Sequence, residues 1–237
     1  MNPPTAADAP AVDAAAIVDR LAAVWAQIAE ACRRAGRPKG AARLVAVTKG
    51  QPAAAIAVAA AAGQRAFGEN YAKELRDKRA ALGAAAEELE WHFIGRVQSS
   101  NAREIARAAL VHGVGSRAQA EALAVKAVQP LAVLLQVSLW DEETKNGFTE
   151  AELRRELAVL RELKPLRLRG LMALPPAAAG DSRAAFAAVR ELRDGCCPDL
   201  PELSMGMSGD FEDAIAEGAT LVRVGTAIFG ERIRKAG

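Results

Sequence analysis

The sequence predicts an α/β protein, a single (β/α)8 barrel of the TIM type with an extra helix ahead of its first strand. Three observations carry that expectation. Short β-rich apolar runs alternate with helical segments eight times along the chain, and strict alternation implies a parallel sheet covered by helices. The 237 residues lie close to the ~250 typical of such a barrel. No linker rich in Pro, Gly or Ser divides the chain into two bodies. A doubly wound open sheet also fits alternating units, but the count of eight favours the closed barrel.

Residues 1–11 read as a disordered Pro/Ala tail, and residues 12–237 as one domain. Over residues 12–34, Ile17, Leu21, Ala22, Trp25 and Ile28 recur at three- and four-residue steps, which predicts an amphipathic helix stopped by Gly36 and Pro38. Leu44-Val45-Ala46-Val47-Thr48-Lys49 is the first strand, closed by Gly50 and Pro52. Pro52 opens an alanine-rich helix at its favoured first-turn position, and Gly63 ends it. Residues 65–70 form a short second strand with a helix at 71–82, and residues 91–95 a third strand. A helix follows from about Asn101, with Glu104 at capping-box spacing. Residues 110–114 are the fourth strand, and its helix opens on a second box, Ser116 to Gln119. Residues 131–137 form a continuous apolar run, as expected of a strand covered on both faces. After a polar loop, the box Thr149 to Glu152 starts a helix reaching Leu163. The sixth strand spans residues 166–174 and its helix 182–194. A weak seventh strand lies around 203–205, followed by a helix ending at Gly218. Residues 221–225 make the eighth strand, ahead of a helical tail.

Composition excludes several function classes. Thirty-one basic and 29 acidic side chains leave a net charge of +2, so nothing demands nucleic acid or an anionic membrane. The three cysteines, Cys32 and the adjacent pair Cys196-Cys197, do not form a disulfide pattern, which points to a reducing compartment. The two histidines, His92 and His112, lack metal-ligand spacing, so no metal site is expected. With no basic region before an apolar core and no membrane-length apolar run, the sequence reads as cytoplasmic. No long exposed apolar patch forces a dimer, so a monomer is expected.

Candidate chemistry gathers at the carboxyl ends of the strands, where barrel sites lie. Alternation puts Val45, Val47 and Lys49 on one face of the first strand. A lysine against apolar walls is a candidate Schiff-base former, because desolvation lowers its pKa; the alternative is a strand-ending lysine that snorkels to water. The seventh loop, Ser204-Met205-Gly206-Met207-Ser208-Gly209, and the eighth, Gly225-Thr226, offer amides and hydroxyls suited to phosphate; the alternative for each glycine is a turn that needs positive φ. Arg223 sits inside the apolar eighth strand and must be paired, with a carboxylate such as Glu69, or face an acceptor on a ligand ring. Weaker signals read as structural. Gly113-Val114-Gly115-Ser116 is a βα turn with a capping serine, His92 a satisfied core histidine, and residues 140–145 a solvated loop.

Several stretches together resemble the pyridoxal phosphate homeostasis protein family: Ala46-Val47-Thr48-Lys49, Phe67-Gly68-Glu69-Asn70, Trp91-His92-Phe93-Ile94-Gly95, Gly170-Leu171-Met172, Leu203-Ser204-Met205-Gly206-Met207-Ser208-Gly209-Asp210-Phe211, and Val222-Arg223-Val224-Gly225-Thr226. The likeness spans nearly all of the chain beyond the first helix, in order. It implies a barrel like the N-terminal domain of alanine racemase, with pyridoxal 5′-phosphate (PLP) as cofactor. It makes Lys49 the internal aldimine lysine, Arg223 the partner of the pyridine nitrogen, Ser208, Gly225 and Thr226 phosphate contacts, and Asn70 a polar neighbour of the ring. Two departures occur. The family's Leu-Gln-Ser-Asn-Lys is Val97-Gln98-Ser99-Ser100-Asn101 here, which loses a basic residue, and its Val-Asp-Ser is Val114-Gly115-Ser116. The resemblance implies binding, buffering and delivery of PLP to apoenzymes, with no catalytic residues. An arginine at the ring nitrogen weakens the electron sink that carbanion chemistry needs, and only one tyrosine, Tyr71, is present. Weak racemase-like activity is the alternative.

Overall fold

The computed structural model describes residues 12–140, 146–175 and 181–231. The expected tail at 1–11 and the polar loop at 141–145 lie outside the described residues. Eight parallel strands close into a barrel in sequence order: β1 (Arg43–Val47), β2 (Ala66–Glu69), β3 (Glu90–Phe93), β4 (Leu110–Val114), β5 (Leu131–Val137), β6 (Leu166–Ala173), β7 (Glu202–Ser204) and β8 (Leu221–Val224). Closure is made by β1 against β8, with Val45 level with Arg223. The open-sheet alternative is thereby excluded.

The helices are α1 (Ala14–Arg34), α2 (Ala53–Ala61), α3 (Ala72–Leu82), α4 (Ala102–Ile105), α5 (Arg117–Lys126), α6 (Glu150–Glu162), α7 (Ser182–Cys196), α8 (Phe211–Ala216) and α9 (Thr226–Phe229). The extra helix α1 starts on Asp13, whose carboxylate accepts from the Ala16 amide. It buries Ile17, Leu21, Val24 and Ile28 against α2, α8 and α9. It therefore covers the outside of the barrel where the first and last strands meet.

The capping signals are realised to different degrees. Thr149 and Glu152 form the full reciprocal capping box of α6. Ser116 accepts from the Gln119 amide, but the Gln119 side chain turns instead to the Gly115 amide and to Asn146. The expected box at Asn101 and Glu104 does not form, because Asn101 already belongs to a 3-10 turn, Ser99–Asn101, that runs into α4, and its side chain donates back to Gln98 at 3.2 Å. Pro52 is the N-cap of α2 rather than its first helical residue. The first strand ends at Val47, so Lys49 stands in the loop beyond it.

Alternation sorts the side chains into two layers. Leu44 and Ala46 join the large core between strands and helices. Val45 joins Ala66, Leu110, Leu134, Met172 and Leu221 in a separate cluster, which fills the barrel interior. His92, His112, Ser204 and Arg223 are also buried there.

Candidate functional site

Lys49 follows β1 by two residues and is half-buried. Its backbone is fixed on both sides by a network that sequence reading missed. Lys78 of α3, 7 % exposed, donates to the Thr48 carbonyl (2.6 Å), Glu69 (2.7 Å) and Glu74 (2.7 Å). Glu74 accepts from the Gly50 amide at 2.9 Å, and the Thr48 hydroxyl donates to Glu69 at 2.5 Å. Burial raises the pKa of Glu69 even though Lys78 and Thr48 act to lower it. One signal was visible in the sequence, the i,i+4 spacing of Glu74 and Lys78 on α3.

Arg223 lies 3 % exposed on β8. Its Nη1 donates to the Ser204 hydroxyl at 2.6 Å and its Nη2 to the Ala173 carbonyl, at the end of β6, at 3.0 Å. Among the described residues it forms no ion pair with a carboxylate. The sequence-level possibility of an Arg223–Glu69 pair is thus corrected, since Glu69 is taken by Lys78. Burial draws the Arg223 pKa down to about 10, with Asp210 opposing through space, so the guanidinium remains charged at neutral pH.

Asn70 directly follows β2, and its Oδ1 is buried without a hydrogen-bond partner among the described residues. A side chain at Gly95 would collide with the Asn70 carbonyl, so glycine there lets the loop after β3 lie against Asn70. Gly206 is held at φ 90°, and a Cβ on it would meet that of Ala214 at 2.6 Å. That turn is closed by Asp210, which accepts from the Met207 amide at 2.6 Å. Ser208 and Thr226 are exposed at the same end of the barrel. A Cβ on Gly225 would press on the Val47 carbonyl at 2.9 Å, so the loop after β8 abuts the strand that leads to Lys49. The backbone amides of Ser208, Gly209, Thr226 and Ala227 have no acceptor among the described residues.

The expected residues therefore converge on one end of the barrel, with a lysine, an unpaired-by-carboxylate guanidinium, an orphan amide oxygen and two amide-bearing loops. Elsewhere, Gly115 proves to be a packing glycine, since a Cβ would overlap the side chain of Asn146. Asn146 also donates to Gln136 at 3.0 Å. The three cysteines are free thiols. Among the described residues no group of His, Cys, Asp and Glu could hold a metal ion, and no helix is long and apolar enough to cross a membrane.

This closed barrel and its site define a class. The family model described as alanine racemase, N-terminal domain, matches residues 19–233, and the chain belongs to that family. Within it, the chain belongs to the pyridoxal phosphate homeostasis proteins. The protein of that name from Pseudomonas aeruginosa is 45% identical over 222 residues, covering 91% of this chain and 96% of that one. The one from Escherichia coli K12 is 41% identical over 233 residues, covering 91% and 97%. Among solved structures, PipY of Synechococcus elongatus with PLP bound superposes with a TM-score of 0.77 at 40% identity, covering 90% of this chain and 100% of that one. Alanine racemase from Corynebacterium glutamicum superposes with a TM-score of 0.69 at 20% identity, covering 93% and 62%; that likeness concerns the fold alone.

Proposed function

We propose that this protein binds pyridoxal 5′-phosphate through Lys49 and releases it again, as a cytoplasmic monomer that buffers the cofactor and delivers it to apoenzymes without catalytic turnover. The observation that carries the reading is Arg223, a buried guanidinium held among the described residues by neutral oxygens alone, beside two amide-bearing loops. A cation desolvated in this way favours an anionic or acceptor ligand. When bound, the cofactor supplies an aldehyde that condenses reversibly with a lysine amine, with loss of water. Arg223 has donors only, so it suits an unprotonated ring nitrogen. Asn70 would offer the cofactor its unmatched acceptor, and Ser208, Gly225 and Thr226 would hold the phosphate with hydroxyls and amides. The Lys78–Glu69–Glu74 cluster holds the Lys49 backbone by Thr48 and Gly50.

Two features favour carrying over catalysis. An arginine at the ring nitrogen keeps it unprotonated, which weakens carbanion stabilisation. Tyr71, the single tyrosine, is 61% exposed at the N-cap of α3. The test is a titration of purified protein with PLP. Native protein is expected to gain the near-visible band of lysine-bound cofactor and a borohydride-trapped mass on Lys49, and Lys49→Ala to gain neither. Incubation with single L-amino acids, followed for chirality, separates the readings: sustained racemisation abolished by Lys49→Ala would overturn the carrier.

A further inference from the structure

The barrel interior contains a line of polar side chains that the proposed function leaves unused. His92 of β3, His112 of β4 and Ser204 of β7 are buried, at 2%, 0% and 0% exposure. Nδ1 of His92 lies 2.9 Å from Nε2 of His112. Nδ1 of His112 lies 2.8 Å from the Ser204 hydroxyl, which also accepts from Arg223 at 2.6 Å. At the opposite end Nε2 of His92 lies 3.5 Å from the Glu90 carboxylate. There it borders a cleft of about 270 Å³ lined by Arg43, Glu90, Arg169 and Glu202. The line thus runs from the amino end of the barrel to the arginine at its carboxyl end.

Counting protons assigns a direction to every link. The negative Glu90 carboxylate 3.5 Å from Nε2 of His92 attracts a hydrogen on that nitrogen and repels a lone pair, which places the His92 proton on Nε2 and leaves Nδ1 to accept. His112 must then carry its proton on Nε2, and its own Nδ1 accepts from the Ser204 hydroxyl. Ser204 in turn accepts from Arg223, which has donors only. Each group gives one hydrogen and takes one. The reverse assignment sets a bare ring nitrogen against Glu90 and crowds two donors onto Ser204. The electrostatics agree. Burial, then the nearness of His92, Arg223 and Arg43, keeps the His112 pKa well below 6.5, so its ring is neutral. The neighbouring His92 ring is the largest influence holding the Glu90 carboxyl below its usual range.

We propose that Ser204, His112 and His92 are positioning residues for Arg223, forming a one-directional hydrogen-bond chain anchored at Glu90 that sets the guanidinium for a ligand at the carboxyl end. The inference rests on the reading of Arg223 as a ligand contact.

Because the chain has two histidines, nitrogen-15 NMR of histidine-labelled protein reads both tautomers without any added ligand. At pH 8 both rings are expected to carry hydrogen on Nε2. Hydrogen on Nδ1 of His112 overturns the proposal. Glu90→Gln, at a half-exposed position, is expected to fold normally and to admit the reverse tautomer at both rings. In PLP titrations, Ser204→Ala and His112→Asn are expected to weaken retention about tenfold, and Ser204→Thr to restore it. Undiminished retention in Ser204→Ala and His112→Asn, with loss in Arg223→Leu, overturns the positioning role and leaves the proposed site standing. If Arg223→Leu itself retains the cofactor, the site reading fails, and the tautomers then decide the direction of the chain independently.

Discussion

Lys78 and Arg223 are both cations buried near the carboxyl end of the barrel, yet their surroundings are opposite. Lys78 is enclosed by two carboxylates and a carbonyl, so its charge is compensated within the fold. Arg223 is held by a hydroxyl and a carbonyl, and burial lowers its pKa to about 10. Desolvating a charge without a counter-charge is costly, and such an arrangement persists where a ligand completes it. Under the proposed function, Lys78 is a structural ion and Arg223 one kept for binding, a distinction that residue type alone does not make.

The largest effect is expected at the compensated cation. Lys78→Met leaves Glu69, fully buried, without its cation, and should cost about 3–5 kcal/mol in chemical denaturation. The double variant Glu69→Gln/Lys78→Met should recover most of that loss; an equally unstable double variant breaks the comparison. Arg223→Leu should behave in the opposite way. Its stability should stay within about 1 kcal/mol of the parent, since a desolvation cost disappears with the hydrogen bonds, while PLP retention falls at least about tenfold, or about 1.4 kcal/mol. A Lys78-like collapse on denaturation would make Arg223 a structural residue.

Next comes the pH response of the interior. The folded-state pKa of His112 is lowered below 6.5, so the unfolded chain takes a proton that the folded chain refuses. Its contribution to stability is present above pH 6.5 and is lost as pH falls, with a slope of up to about 1.4 kcal/mol per pH unit. Denaturation of the parent and of His112→Asn between pH 5 and 8 should show that slope in the parent alone. Equal slopes would mean that His112 accepts a proton when folded. The smallest effect serves as a reference remote from both cations: Thr149→Ala removes the α6 capping box and should cost about 1 kcal/mol with PLP retention unchanged.

Much of the fold was legible because its signals are local. The apolar run of residues 131–137 became β5 with the same bounds, and the Thr149–Glu152 box formed at an extended N-cap where both reciprocal bonds are local. The box at Asn101 failed because Asn101 is already in a 3-10 turn and its side chain donates to Gln98. The ends of β1 and β2 were read one or two residues long, since strand ends depend on where the neighbouring strand stops pairing. That Lys49, Asn70, Ser208, Gly225 and Thr226 share one end of the barrel was legible from their places beyond the strands, because barrel loops share one end; their roles toward a cofactor came from the resemblance and are part of the proposal. The partner of Arg223 was not legible. Period two says that its side chain faces inward, and the choice among Glu69, Ser204 and a ligand depends on what lies across the interior.

By itself, then, the sequence determined the alternation of strand and helix, the inward face of each strand and the set of residues at the carboxyl mouth. These follow from periodicity, capping chemistry and right-handed βαβ connection, all of which act over a few residues. Only the tertiary structure decided that Glu69 pairs with Lys78, that Arg223 meets Ser204, and that His92 and His112 join Ser204 to the amino face. His112 and Ser204 are separated by 92 residues and do not share neighbouring strands. Their contact exists because the closed barrel's stagger sets the heights at which inward side chains meet, and a short interior leaves buried polar groups only one another as partners.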